Sequence, residues 1–89
     1  MMNKYLPIGS VVLLKNAKKK LIIIGLLSKV EGQEKVYDYT SCIYPVGIHD
    51  SEHLISFNHE DIEVIYSLGY MDDEYFELNS KIKDNVDNR

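Results

Sequence analysis

Two neighbouring runs of Val, Leu and Ile constrain the fold of this chain more than any other feature. The runs are residues 11–14 and 21–27, and a short lysine-rich segment separates them. Runs of this composition are typical of β-strands, in which successive side chains point to opposite faces. A strand with one wet face would alternate apolar and polar residues, so both faces of these two strands need a covering. The interior of a small barrel covers one face, and the other needs a helix, a second subunit or a partner protein.

Turn residues divide the first two-thirds of the chain into short strands. Gly25 interrupts the second strand, which indicates a bulge or a bend. Asn16 tolerates the left-handed backbone of a turn, and Gly32 predicts a hairpin turn over residues 31–34. We therefore predict four strands in this part of the chain, at residues 10–15, 20–30, 35–45 and 54–58.

The segment 59–67 is open to two interpretations. Asn58 with Asp61 three positions later resembles a capping box, which predicts a helical turn. The following residues alternate in polarity, which favours a fifth strand at 63–68. The alternative is one helix over residues 59–67, which Ile62, Ile65 and Tyr66 would fit.

The segment 72–83 predicts a helix. Asp72 is a plausible N-cap, acidic residues follow it, and lysines lie near the end, as the helix dipole favours. Tyr75, Leu78 and Ile82 would form its apolar stripe. We expect one domain over residues 1–83 and a flexible tail at 84–89. The predicted class is mainly β (α+β): a small curled antiparallel sheet, or an SH3-like partly open barrel of about five strands, with a C-terminal helix.

Composition and charge exclude several classes of function. The chain has 89 residues, one cysteine (Cys42) and a net charge of −4. Residues 1–42 carry seven lysines and three acidic residues, whereas residues 43–89 carry three basic and eleven acidic residues. The acidic balance makes nucleic-acid binding an unfavoured function. The longest apolar run is far shorter than the ~20 residues that cross a bilayer. With no apolar leader in the first ten residues, we expect a cytoplasmic protein without a membrane association.

Three titratable residues lie close together in a polar loop. His49, Asp50 and His53 could hold a zinc ion, because imidazole and carboxylate groups are zinc ligands. A structural zinc site has four ligands at tight spacings, so an ordinary polar loop is the favoured interpretation, and the metal question stays open.

No motif predicts catalysis. Cys42, His59 and Asp61 are the residue types of a nucleophile, a base and an orienting group, but nothing near them forms an oxyanion hole. The five glycines are each isolated, so no loop matches a phosphate cradle. We predict no enzymatic activity, no catalytic residues and no cofactor.

Lysines and tyrosines are the candidates for binding. Lys18, Lys19 and Lys20 could contact phosphate or an acidic partner, although a solvated turn with edge lysines is favoured. Tyrosine combines a large apolar face with a polar tip and is enriched at interfaces. Most of the seven tyrosines would belong to the core of a small barrel, with one or two on a binding face. The candidate protein-binding residues are Val12, Leu14, Ile23, Tyr37, Tyr39, Tyr66 and Tyr70.

Three motifs in fixed order carry a resemblance to a known family. They are Pro7-Ile8-Gly9-Ser10-Val11-Val12, Tyr44-Pro45 with Gly47, and Asn58-His59-Glu60-Asp61-Ile62. The chain resembles, over residues 5–76, a small family of uncharacterised domains from Gram-positive bacteria, typically encoded near type VII secretion genes and LXG-type toxins. The family usually has glycines in the turn after the first strand, where this chain has Asn16 and Ala17, which leaves the turn geometry open.

The resemblance implies an accessory role and transfers no catalytic residue. We therefore expect a non-enzymatic adaptor or chaperone that helps an LXG toxin, or its small helical companions, reach the secretion machinery. A homodimer would be an alternative covering for the two-faced strands. The second hypothesis is a small SH3-like regulator that binds nucleic acid or a ligand. A basic groove around Lys15 and Lys18–Lys20 with exposed aromatic residues would favour it.

Overall fold

Five strands and one C-terminal helix make up the protein. The computed structural model describes residues 5–29, 32, 34–50 and 53–87. Its elements are β1 (Val11–Leu14), β2 (Leu21–Lys29), β3 (Val36–Ile43), β4 (Ile55–Phe57), a 3-10 turn (His59–Asp61), β5 (Ile62–Ser67) and α1 (Asp73–Asp87). The strands form one open antiparallel sheet in the order β4-β3-β2-β1-β5. The predicted fold class is confirmed.

The ambiguous segment is a short turn followed by a strand. β5 pairs with β1 from Leu14 opposite Ile62 to Val11 opposite Ser67. The alternative of one helix over 59–67 is therefore wrong, because the alternating residues complete the hydrogen bonds of an edge strand. The predicted turn at 31–34 and the predicted end of the second strand include residues 30, 31 and 33, which lie outside the described residues.

The pairing of the sheet is irregular at three positions, of which the sequence predicted the one near Gly25. The register of β2 and β3 shifts between Ile23 and Gly25, as the isolated glycine indicated. Two further shifts lie between β1 and β5. Asn16 has φ 64°, so this asparagine adopts the left-handed conformation that the sequence predicted it would tolerate.

The hydrophobic core lies on one face of this curled sheet. Val12, Leu21 and Ile23 are at most 3% exposed, and they form one cluster with four other buried residues: Tyr5, Tyr39, Phe57 and Ile82. Because Ile82 belongs to α1, the helix covers the face that already holds the core. On the other face, Val11 and Ile22 lie opposite each other and are half-buried. The helix therefore leaves that second face partly open.

Helix α1 is held to the sheet by hydrogen bonds to the start of the described chain. The Tyr5 N–H donates to Asn79 Oδ1 at 2.6 Å, and the Tyr75 hydroxyl donates to the Tyr5 carbonyl. Asp72 caps the helix, since its Oδ1 accepts the Tyr75 N–H at 3.1 Å. The predicted stripe is correct for Tyr75 and Ile82 but wrong for Leu78, which is 45% exposed. Asn79 is buried instead because it binds the Tyr5 backbone.

The helix ends later than predicted. It continues past residue 83 to Asp87, so the predicted tail at 84–89 overlaps its last turns, and residues 88 and 89 lie outside the described residues. The division into a domain and a flexible tail stays a prediction. No helix in the described part of the chain is long and apolar enough to span a bilayer.

A close backbone contact joins the turn before β1 to the end of β5. Gly9 has φ 94°, a conformation that favours glycine, and it lies against Gly69. Ser10 Oγ donates to the Pro7 carbonyl at 2.8 Å and accepts the Gly69 N–H at 3.1 Å. A Cβ atom at Gly69 would overlap the Ile8 carbonyl, so this contact requires glycine. The Pro7–Val12 motif therefore joins the start of β1 to the end of the edge strand β5.

Candidate functional site

A groove of about 500 Å³ opens at one end of the sheet. Its walls come from three parts of the chain that are distant in sequence: β1 with the β1–β2 turn, the end of β3 with the turn after it, and β5. The Tyr44–Pro45 peptide bond in the turn after β3 is cis. The groove residues are Leu13, Lys18, Lys19, Lys20, Ile43, Tyr44, Pro45, Val46 and Tyr66.

The groove combines positive charge with exposed apolar surface. Lys18, Lys19 and Lys20 are exposed, and none forms an ion pair within the described residues. The Lys20 ammonium lies 5.0 Å from the centroid of the Tyr66 ring, a cation–π arrangement. Tyr44 is 47% exposed and Tyr66 is 52% exposed. No acidic residue is among those that line the groove, so its chemistry suits an anionic ligand with an apolar part.

The structure divides the seven predicted binding residues into two groups. Val12, Ile23 and Tyr39 have no exposed surface, because alternation directs them into the core. Leu14 also packs against the core, and Tyr37 is half-buried. Tyr66 and Tyr70 are exposed, but the groove includes Tyr66 and excludes Tyr70. Whether any of them binds a protein stays a prediction.

Part of the groove was missed by the residue-by-residue reasoning. Tyr44, Pro45 and Val46 were not among the candidate binding residues, although the family motif containing Tyr44-Pro45 marked that turn. The backbone explains their position, since the Tyr44 N–H donates to the Lys20 carbonyl at 3.0 Å. This bond sets the turn after β3 beside the lysine turn. The second hypothesis placed Lys15 in a basic groove with the other three lysines, but Lys15 does not line this groove.

The Asn58–Ile62 motif forms a corner between β4 and β5 rather than an open site. The His59 N–H donates to Asp38 Oδ2 at 2.8 Å, and Asn58 Oδ1 accepts the Asp38 N–H at 3.2 Å. The Asn58 N–H donates to Asp61 Oδ2 at 2.9 Å, one half of the predicted capping box. These bonds fix the corner to β3, so the motif has a structural role that its sequence alone did not reveal.

A buried tyrosine completes this corner. The Tyr39 hydroxyl accepts the Leu6 N–H at 3.0 Å and forms a hydrogen bond with His59 Nδ1 at 2.7 Å. Burial raises the pKa of the Tyr39 phenol far above its usual range, and the Leu6 N–H opposes this only in part.

The residue types of a catalytic triad are not brought together. Cys42 is 4% exposed, His59 Nδ1 is bonded to Tyr39, and the Asp61 carboxylate binds the Asn58 backbone. No bond joins any two of them in the described ranges. The absence of enzymatic activity remains a prediction.

A second cluster of polar side chains lies in the β3–β4 loop. His53 Nδ1 is 2.5 Å from Asp50 Oδ1, and His49 Nε2 is 3.7 Å from Asp50 Oδ2. The two imidazole rings stack with centroids 4.9 Å apart. The structure therefore brings together the three residues for which the sequence left open whether they bind a metal ion.

Comparison with known proteins identifies the family and nothing finer. A family model described as a domain of unknown function (DUF4176) matches residues 5–78. No curated protein and no solved structure matches the chain. The resemblance to an uncharacterised domain family is confirmed at this level, and the matched range runs from the Tyr5 segment into α1. The chain belongs to the DUF4176 family.

Proposed function

We propose that this protein is a non-enzymatic accessory factor that binds an acidic segment of a protein partner in the lysine–tyrosine groove. The observation that carries the proposal is the groove itself, with three lysines on one wall and Tyr44 and Tyr66 beside an apolar floor. The partner class that we propose is an LXG-type toxin or its small helical companions, during export by type VII secretion. The resemblance of the three sequence motifs supports this choice of partner.

The affinity would come from two sources of different strength. Exposed ion pairs contribute about 0.2–1 kcal/mol each, so three lysines set orientation and association rate more than affinity. Burial of apolar area gives about 25 cal/mol per Å² before the cost of association, so most of the binding free energy would come from the tyrosines and the apolar floor. A partner segment should therefore contain both acidic and apolar residues.

The same groove gives some support to a second function. Lysines beside exposed aromatic rings are typical of proteins that bind single-stranded nucleic acid, where bases stack on the rings. However, only three lysines line the groove, and the second half of the chain is strongly acidic. The negative field of the whole protein would repel a polyanion more strongly than a short protein segment with a few acidic residues, so such a segment is the favoured ligand.

A binding experiment on the full chain tests the proposal. We would measure the affinity of the purified protein for an LXG-type toxin from the same organism, and for small helical companions of that toxin. We expect K18E/K19E/K20E to weaken binding about tenfold or more, because three attractions become repulsions. Y66A should also weaken binding, because it removes a ring that lines the groove.

Matched variants control for general effects of charge and of aromatic surface. K29E changes an exposed lysine of β2 outside the groove, and Y70A removes a tyrosine that is 81% exposed and also outside it. Both should bind as wild type does. The proposal fails if no toxin or companion binds, or if the triple charge reversal binds as well as K29E. Binding of a single-stranded oligonucleotide in place of the proteins would favour the second function.

A further inference from the structure

We propose that His49, Asp50 and His53 form a binding site for one divalent transition-metal ion, of which Zn²⁺ is the best match. The site lies in the loop between β3 and β4 and does not depend on the proposed function of the groove. One potential ligand atom from each of the three residues lies within 4.8 Å of the others.

Both imidazoles place a ring nitrogen near one carboxylate. His53 Nδ1 is 2.5 Å from Asp50 Oδ1, and His49 Nε2 is 3.7 Å from Asp50 Oδ2. The rings are close to parallel, with an interplanar angle of 26°. Each histidine therefore has one ring nitrogen close to the Asp50 carboxylate, so a single cation could contact all three side chains.

An ordinary loop turn explains only part of this arrangement. Asp50 Oδ1 also accepts the His53 N–H at 3.1 Å, a contact that stabilises the turn and needs no imidazole. It gives no reason for a second imidazole to stack on the first with its nitrogen towards the same carboxylate. The His49 ring is the observation that favours a ligand over a turn.

The ligand chemistry selects the class of metal. Imidazole nitrogen and carboxylate oxygen together suit Zn²⁺ and its neighbours, whereas Ca²⁺ and Mg²⁺ prefer oxygen ligands alone. With neutral imidazoles the three side chains carry one negative charge, which favours a cation. Three protein ligands leave a fourth tetrahedral position for water. The side chains of His49, Asp50 and His53 are 53%, 43% and 57% exposed, so a bound ion would remain accessible from solvent.

Zinc titration of the tag-free, chelator-stripped full chain tests the site. We expect saturable binding of one Zn²⁺ per chain by calorimetry, and shifts of the His49 and His53 ring signals in NMR spectra. H49Q/H53Q should weaken binding about tenfold or more, since it removes two of three ligands.

The third histidine provides the matched control. The chain has only three histidines, and His59 is bonded to Tyr39 at the corner between β4 and β5. H59Q should bind Zn²⁺ as wild type does, and Zn²⁺ should raise the melting temperature of H59Q but not of H49Q/H53Q. Lack of saturable binding to the wild type, or equal binding by H49Q/H53Q, would overturn the proposal.

Discussion

Replacement of Tyr39 by Phe should destabilise the protein through the loss of a single hydroxyl group. Tyr39 is fully buried, and its ring packs against Tyr5 and Phe57 with centroids 6.0 and 5.2 Å away. Phenylalanine keeps this ring packing. The substitution therefore removes the hydroxyl group, whose hydrogen bonds include one from the Leu6 N–H at 3.0 Å and one with His59 Nδ1 at 2.7 Å.

The expected loss of stability follows from the groups left behind. A buried donor or acceptor that loses its partner costs about 1–3 kcal/mol. Leu6 and His59 are half-buried, so water partly replaces the hydroxyl at each of them. We therefore expect the lower part of that range, about 1–2 kcal/mol in total. In a domain of this size, such a loss lowers the melting temperature by about 4 °C or more.

Denaturant unfolding followed by circular dichroism measures this loss. Tyr37→Phe is the matched control, because Tyr37 lies on the same strand and its hydroxyl makes no hydrogen bond within the described residues. The control should change the free energy of unfolding by less than about 0.5 kcal/mol. Equal stability of the two variants would refute the argument that the Tyr39 hydroxyl joins the Leu6 segment to the β4–β5 corner.

Two further predictions concern ionisation and backbone contact. Burial raises the pKa of Tyr39, so the folded state keeps a proton that the unfolded chain releases at about pH 10. The stability advantage of wild type over Y39F should therefore be complete below that pH and shrink above it. Unfolding of both proteins across this range measures the difference, and a constant difference would contradict the prediction. Gly69→Ala should cost about 1–3 kcal/mol, because its Cβ overlaps the Ile8 carbonyl. Gly25→Ala is its control, since a Cβ there meets Thr40 at an ordinary 3.5 Å, and a similar cost for both variants would show that the close contact is unimportant.

The strands and the helix start were predictable because local chemistry determines them. Period-2 alternation, turn residues and a capping aspartate act over a few residues, and each predicted strand has a counterpart in the sheet. Asn16 adopts the left-handed conformation and Asp72 caps α1, as their side chains favour. The segment 59–67 was ambiguous because its apolar residues fit both a helix and a strand. Pairing of β5 with β1 decided it.

The binding candidates were less predictable because alternation does not say which face is buried. Tyr39 and Tyr66 look alike in sequence, yet one is fully buried and the other is 52% exposed. The apolar stripe of the helix was hard to predict for the same reason. Asn79 is buried in place of Leu78 because it binds the Tyr5 backbone, which is 74 residues away in sequence. No local pattern carries such information.

Local sequence patterns established the first four strands, the start of the helix, the mainly β class and the chemistry available in each loop. Tertiary packing made β5 a strand, brought the lysine turn, the Tyr44–Val46 turn and Tyr66 into one groove, and stacked two histidines beside Asp50. The physical reason is that local preferences depend on neighbouring residues, whereas a site depends on strand order and register. Those are set by which apolar face the whole chain buries.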